Sequence, residues 1–549
     1  MASGGAEGRR RREKPIICRH GLRVRWGVFS PGSVIRGLGM YRNFLSVGGF
    51  TALSRLTGFA RDLMLGAVMG VGPLADAFVV ALRLPNQFRA IFGEGAFNSA
   101  YVPTYSRVLV SQGDAAANRL ASRVFTLLLL SQIVLLVLAL VYTDELVALI
   151  APGFSEHPEK FALAVGMTRI TFPYLAFITL ATLHTGTLNA HGYFSAGAFA
   201  PVLLNLFVAG FLAVAFLFPN AGEAASWGVL VSGIAQLALL MAEARRRGVL
   251  ERLAVPRLDA DVKQFFAALG PAVIGSAGQQ IAILADTILA SLLPNNANSS
   301  MYYAERLYQL PLGVIGVAAG TVLLPEMSRR LAAGDDRGAA AAQNRSIALT
   351  FALAAPFFVA FLILPEETMR GAFLRGAFTA QAARGSAAVL AAYGLGLAPM
   401  VLIRSAVASF QSRGDTTTPM LCFFAGLVVN LALKLALYQP LGPAGLAFAT
   451  AAGAWINFAL LIALGMRRRW FAPDKRLIEN VAIAAFAGGA AAFAAPFCFL
   501  AADHAFGRLP LLRNELDIAA AGLLAFVVYA IAYVLGARSF GRSARRQLL

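Results

Sequence analysis

Apolar stretches long enough to cross a bilayer recur along this chain from about Gly48 to Leu535. A helix needs about 20 residues to span the hydrocarbon core, and only helices or closed barrels satisfy backbone polar groups there. Spanning β-strands would show short alternating segments. The runs here are continuous, so the expected fold class is all-α: a polytopic integral membrane protein of about fourteen transmembrane helices. The predicted spans lie near residues 48–70, 75–110, 121–143, 160–190, 194–218, 224–244, 262–293, 299–330, 341–364, 385–412, 416–438, 442–466, 477–501 and 516–535. The 14% of charged residues is well below the roughly 25% of soluble domains.

The net charge of +19 does not point to nucleic acid, because the basic residues cluster between apolar runs. Arg245–Arg247, Arg329 with Arg330, Arg467–Arg469 and the tail Arg538, Arg542, Arg545 and Arg546 all fall on the side of the basic N-terminus. The opposite loops carry Asp144, Glu145, Glu156 and Glu159, or no charge at 294–300. Cytoplasmic loops retain Lys and Arg, so both termini are expected in the cytoplasm, which requires an even number of spans. Cys18, Cys422 and Cys498 lack disulfide-framework or metal-ligand spacing, and neither metal nor cofactor is expected. Residues 1–39 read as a disordered basic cytoplasmic extension, or as sequence ahead of a true start at Met40.

An internal repeat is visible. Pro103-Thr-Tyr-Ser106-Arg107 returns as Pro325-Glu-Met-Ser328-Arg329, and Gly113-Asp114 as Gly334-Asp335. Six spans per copy preserve orientation, giving a parallel repeat about an axis along the membrane normal, as in some secondary transporters. The expected division is an N-lobe at 40–256, a C-lobe at 257–470, and two further spans with a basic tail at 471–549.

Charges inside a membrane cost roughly 2.5–3.5 kcal/mol each on insertion scales and mark cavities or partners. Span 1 carries Arg55, Arg61 and Asp62; span 2 carries Asp76, Arg83, Arg89 and Glu94; span 8 carries Glu305 and Arg306. At 100° per residue Arg55 shares a face with Asp62, and Asp76 with Arg83 and Glu94, whereas Arg89 needs a bend at Pro85, Gly93 or Gly95 to join them. Five arginines against four carboxylates give a net positive cavity, and the guanidinium fork suits phosphate oxygens. The alternative is a set of internal salt bridges that only holds helices together. Arg404 is a further intramembrane charge, and Asp286 and Lys434 are expected to pair or to couple an ion. Asn205, Asn430 and Gln236 are expected to be interhelical hydrogen-bond glue, and His184 and His191 stand isolated in the sequence. No GxxxxGK[ST] or HExxH motif suggests an enzyme.

Ser54-Arg55-x-x-Gly58-x-x-Arg61-Asp62, Asp76-Ala-Phe running to Leu84-Pro85-Asn86, Gly93-Glu94-Gly95-Ala96-Phe97 with Val102-Pro103, and Tyr303-Ala304-Glu305-Arg306-Leu307 resemble the bacterial lipid II flippase MurJ (MviN) family, as do Gly414-Asp415 and Pro419. The resemblance implies a fourteen-helix inner-membrane exporter of the multidrug/oligosaccharidyl-lipid/polysaccharide superfamily. Its substrate would be undecaprenyl-pyrophosphate-linked peptidoglycan precursor, moved to the periplasmic leaflet by alternating access. It further implies that Arg55, Arg61, Arg89 and Arg306 engage the pyrophosphate, that Asp76 and Glu94 are needed in the cavity, and that the last two spans border a groove for the lipid tail. Partners would be that lipid, the surrounding membrane lipid and other cell-wall synthesis proteins. Some members have a proposed cation site around spans 7 and 11, where this chain has Lys434 one turn from Asn430. Rival readings are an exporter of another lipid-linked oligosaccharide, a multidrug antiporter, and an integral-membrane transferase.

Overall fold

The computed structural model describes residues 31–90, 96–294, 296–506 and 513–546, and among these no residue lies in a strand. The N-terminal half comprises α1 (Pro31–Met69), α2 (Pro73–Phe88), α3 (Ala96–Gln112), α4 (Asp114–Val141), α5 (Thr143–Ile150), α6 (Pro158–Thr171), α7 (Tyr174–Ala190), α8 (Ser195–Ala213) and α9 (Ala221–Arg246). The C-terminal half comprises α10 (Ala260–Ser291), α11 (Ala297–Pro311), α12 (Val317–Ala332), α13 (Asp336–Ile363), α14 (Pro365–Phe373), α15 (Ala380–Leu395), α16 (Leu397–Gln411) and α17 (Thr417–Arg467), followed by α18 (Lys475–Phe506) and α19 (Arg513–Arg546). Ten helical stretches among the described residues are long and apolar enough to cross a membrane. One of them, α17, is two helices folded back at Gly442, whose φ of 56° favours glycine. With α1, the α2–α3 pair and α10, the set is consistent with the fourteen predicted spans.

The repeat persists in three dimensions. Helix starts recur at a constant offset, as in Asp114 and Asp336, Pro158 and Ala380, and Ser195 and Thr417. Both copies interrupt their fourth span, and the second copy its second span as well. The first copy's second span comprises α2 and α3, with residues 91–95 outside the described residues, and its counterpart passes through a π turn at Leu312–Gly316 after Pro311. The fourth parts at Phe172 and Pro173, and its counterpart at Gly396. Proline removes an i→i−4 hydrogen bond and crowds the preceding turn, which accounts for the breaks near Pro173 and Pro311. Sequence periodicity alone predicts single helices there. α1 also starts earlier than predicted, at Pro31, so residues 31–39 are helical.

Arginine clusters sit at the C-terminal ends of α9, α12 and α17, and the face they mark is here called the basic face. Across the opposite face the two lobes touch. Ala377 donates its N–H to the Ala67 carbonyl at 2.7 Å, and the Gly153 N–H reaches Ser291 Oγ at 3.2 Å. A Cβ on Gly153 would lie 2.1 Å from the Ser291 carbonyl oxygen, so glycine is what permits this approach. α18 and α19 pack on each other and against α13 and α14, outside the two lobes.

The connection from α9 to α10 is fastened to the N-lobe. Arg252 N–H donates to Ser122 Oγ at 3.1 Å and Ala254 N–H to Thr126 Oγ1 at 3.0 Å, while Asp259 pairs with Arg123 and Asp261 with Arg107. Glu251 turns inward to His184 Nδ1 at 2.5 Å and to the Thr187 hydroxyl.

At the basic face, Gly414 adopts φ 80° and Asp415 then receives the Thr418 N–H at 2.9 Å and its hydroxyl at 2.7 Å, besides pairing with Arg468. These hydrogen bonds hold the Asp415 carboxyl down to about 2. A depressed carboxylate stabilises the fold above its unfolded value and loses that contribution as pH falls through the folded one. Asp415→Ala is expected to cost about 1 kcal/mol as a lost helix cap. The deficit in thermal unfolding should be present at pH 7 and shrink below about pH 4, where the wild-type carboxyl also begins to lose its advantage.

Candidate functional site

Arg61 and Asp62 are consecutive on α1, yet the Arg61 guanidinium folds back to Asp62 Oδ1, at 3.1 Å from Nε and 2.7 Å from Nη2. Its Nη1 donates to Asn205 Oδ1 at 3.0 Å, and Asn205 in turn donates to the Ser54 carbonyl at 2.9 Å, joining α8 to α1. Asp62 also accepts the Tyr302 hydroxyl at 2.9 Å, from α11 of the other lobe. Arg306 lies over the Tyr302 ring, 4.5 Å from its centre, with Nε 3.9 Å from Asp62 Oδ2 and without a hydrogen-bond partner. One polar network therefore crosses between the lobes and leaves guanidinium donors uncommitted.

Arg61, Tyr302 and Arg306 line a cavity of about 90 Å³ together with Asn86 and Arg89, with Asp62 bonded just behind them. α2 ends at Phe88 and Arg89 is its C-cap with helical backbone, and it lines the same cavity as Arg61 and Arg306. Three guanidiniums and the single carboxylate of Asp62 leave the site net positive. Low-dielectric walls such as Leu65 and Phe78 strengthen its attraction for an anion.

The other predicted charges take different places. Asp76 and Arg83 share a face of α2, as predicted, and both address α11. Asp76, 1% exposed, accepts Lys160 Nζ at 2.6 Å and the Ser299 N–H and hydroxyl at 2.7 and 2.6 Å. It thus neutralises a lysine of its own lobe while receiving an N-terminal amide of α11, where the helix dipole favours a carboxylate. Arg83 stands 3.8 Å from Glu305, which accepts from Gln309 at 2.7 Å. Arg83 is absent from the arginine cavity's lining. Arg55 is exposed and lies over Gly313, apart from that lining, and Arg404 packs beside Gly316 and Gly320. Glu94 lies outside the described residues.

Asp286 and Lys434 come together at 2.8 Å, and the fully buried Lys434 also donates to the Ala282 carbonyl at 3.0 Å. A bound alkali cation would require those same oxygens. The ammonium already takes them, so Asp286 and the Ala282 carbonyl do not fit a sodium site while Lys434 is paired.

Four features escaped the sequence reading. Lys160 was legible as a lone cation at the start of a span on an otherwise acidic face, but nothing local names Asp76 as its partner. Ser299 is an ordinary helix-start serine whose role depends on the other lobe. His184, isolated in sequence, meets Glu251 from the interlobe connection. Gln236 is not simple interhelical glue, because its side-chain nitrogen is buried without a hydrogen-bond partner beside a second cavity.

The family model for lipid II flippase MurJ matches residues 65–507. The chain is 38% identical over 524 residues to a probable lipid II flippase MurJ of Rhizobium meliloti (strain 1021), covering 93% of this chain and 97% of that one. It is 34% identical to the lipid II flippase MurJ of Burkholderia cenocepacia, covering 79% and 84%. In fold it is similar to a structure of lipid II flippase MurJ in an inward closed conformation, with TM-score 0.75, 22% identity and coverage of 91% and 99%. An inward-facing multidrug resistance MATE family transporter gives a TM-score of 0.64 at 14% identity, covering 77% and 97%. The chain belongs to the lipid II flippase MurJ family, multi-pass proteins of the inner membrane.

Proposed function

We propose that this chain carries lipid II, an undecaprenyl pyrophosphate bearing a disaccharide-peptide, from the cytoplasmic to the periplasmic leaflet by alternating access of its two lobes. The observation that carries the reading is the convergence of Arg61, Arg89 and Arg306 on one cavity bridged by both lobes. Planar forks there can grip pyrophosphate oxygens two at a time and stay charged when water is excluded. The same positive charge disfavours the cationic cargo of a multidrug antiporter. Both termini and the basic face are assigned to the cytoplasm by the positive-inside rule. Contacts between the lobes at Asp76–Ser299 and Ala67–Ala377 then close the periplasmic side, supporting a loading state. An inside-negative potential drives an anion outward by about 2.3 kcal/mol per charge per 100 mV, so the cargo's own charge assists export. α18 and α19, outside the lobes, would border the polyprenyl tail, which is too apolar for the arginine cavity.

Depletion of the protein is expected to trap lipid II in the cytoplasmic leaflet, measured as loss of precursor accessible to an externally added modifying enzyme. Unchanged outer-leaflet exposure after depletion would reject the reading. The periplasmic closure gives a separate expectation. Asp76→Ala leaves the Lys160 ammonium buried without its carboxylate and removes the bond to Ser299; breaking such a pair costs roughly 3–5 kcal/mol. A cysteine placed at Ala297, 1% exposed at the start of α11 beside Ser299, should then react faster with an impermeant maleimide added from outside, and an unchanged rate would show that Asp76 does not hold the lobes shut.

A further inference from the structure

Behind the arginine cavity a second one of about 150 Å³ runs into the N-lobe between α7, α8 and α9. The two share Arg89 and Leu204 in their walls, so Arg89 stands where they adjoin. Gln236 on α9 is 2% exposed, and its Nε2 has no hydrogen-bond partner. A buried unsatisfied amide donor costs about 1–3 kcal/mol, and a leucine of similar size would avoid that cost. Thr182 and Thr185 face the same space. Their hydroxyl protons go to the Ile178 and Ala181 carbonyls at 2.9 and 3.0 Å, which leaves the oxygens to accept from a guest. Tyr174 and Leu240 supply apolar wall.

A cavity of this size admits one six-membered ring, as an engineered cavity of about 150 Å³ admits benzene. Beyond Arg89 at its mouth, a lining of paired acceptors, one amide donor and apolar wall does not suit an anion or a pure hydrocarbon. It suits a ring with hydroxyl or acetamido groups on its rim and C–H faces above and below. We propose that this N-lobe cavity is a carbohydrate subsite, which receives the sugar ring attached directly to the pyrophosphate while Arg89 holds the phosphate at its mouth. The inference rests on the lipid II reading above and adds what distinguishes that cargo from a bare polyprenyl pyrophosphate.

The test compares two lipids binding to the full chain in lipid nanodiscs, by native mass spectrometry: lipid II, and undecaprenyl pyrophosphate without sugar. The wild type should prefer lipid II by about tenfold, the worth of one or two hydrogen bonds. Gln236→Leu removes the amide, and Ala200→Leu fills the cavity from the α8 wall. Each should erase the preference while leaving affinity for the sugar-free lipid unchanged, with the melting temperature confirming the fold. A preference retained in both variants, or absent in the wild type while both lipids bind, would overturn the subsite and leave the pyrophosphate site standing. Failure of either lipid to bind the wild type would overturn the flippase reading with it.

Discussion

Lysine in place of Arg61, Arg89 or Arg306 should leave the protein in the membrane at normal abundance and remove most of its lipid II export. If these arginines only balanced Asp62, a point charge would serve, because a lysine preserves the pairing. If they grip a pyrophosphate, each lysine loses the planar fork, weakening charge-assisted hydrogen bonds of about 1.5–3 kcal/mol, or roughly 10- to 100-fold in affinity. Arg306 should be the most sensitive. Its guanidinium lies on the Tyr302 ring and its Nε has no hydrogen-bond partner, so a smaller, more hydrated ammonium loses both the stacking and a donor. Arginine-to-alanine variants should export less still. Precursor exposed on the outer leaflet, measured alongside protein abundance, separates function from folding. Full export by all three lysine variants would leave internal salt bridging as the role of these residues.

Lys434→Met should be among the most destabilising single substitutions in the C-lobe, and Asp286→Leu should relieve it. Lys434 is fully buried and Asp286 nearly so, and removing one partner strands a charge at a cost of about 3–5 kcal/mol. Replacing both by apolar side chains removes the stranded charge, and such exchanges are often neutral. Thermal unfolding of the purified single and double variants reads the cycle directly. A double variant worse than either single would mean that the two residues act independently despite their 2.8 Å contact. The same pair predicts export that is indifferent to replacing sodium with potassium, because the Lys434 ammonium occupies the Asp286 carboxylate.

Much of the fold was legible because a bilayer imposes length and polarity on every crossing segment. The repeat was readable from Pro103 and Pro325 with their following Gly-Asp pairs, and the structure preserves its offset helix by helix. The arginine cavity was half legible: intramembrane charge selected Arg61, Arg89 and Arg306, but also Arg55 and Arg83, which face Gly313 and Glu305 instead. One-dimensional periodicity cannot tell a residue facing a cavity from one facing the other lobe, since both are inside. Helix breaks were seen as prolines and glycines without knowing which would open the helix. Lys160, Ser299 and Glu251 were hidden for one reason: each partner lies tens to hundreds of residues away, and the pairing exists only after packing.

The fastening of the interlobe connection bears on where the machine can bend. By sequence the second copy begins just before α10, so a hinge would naturally be sought in the linker at 247–259. That linker is tied down by Glu251, Arg252, Ala254 and Asp259, and the first turns of α10 are held beside it through the buried Val262 and Phe265, the latter packing edge-on against Phe97 and Tyr101 of the N-lobe. The far end of α10 is held to the C-lobe through Asp286 and Lys434. Rocking that keeps both of these attachments would be absorbed within a single helix, between Phe265 and Ala282, in the stretch that contains Pro271 and Gly278, and would part Ser291 at its end from Gly153 of the N-lobe. α10 is in this sense an axle with one end clamped to each moving part, and the seam along which the sequence repeats is not the joint at which the protein turns.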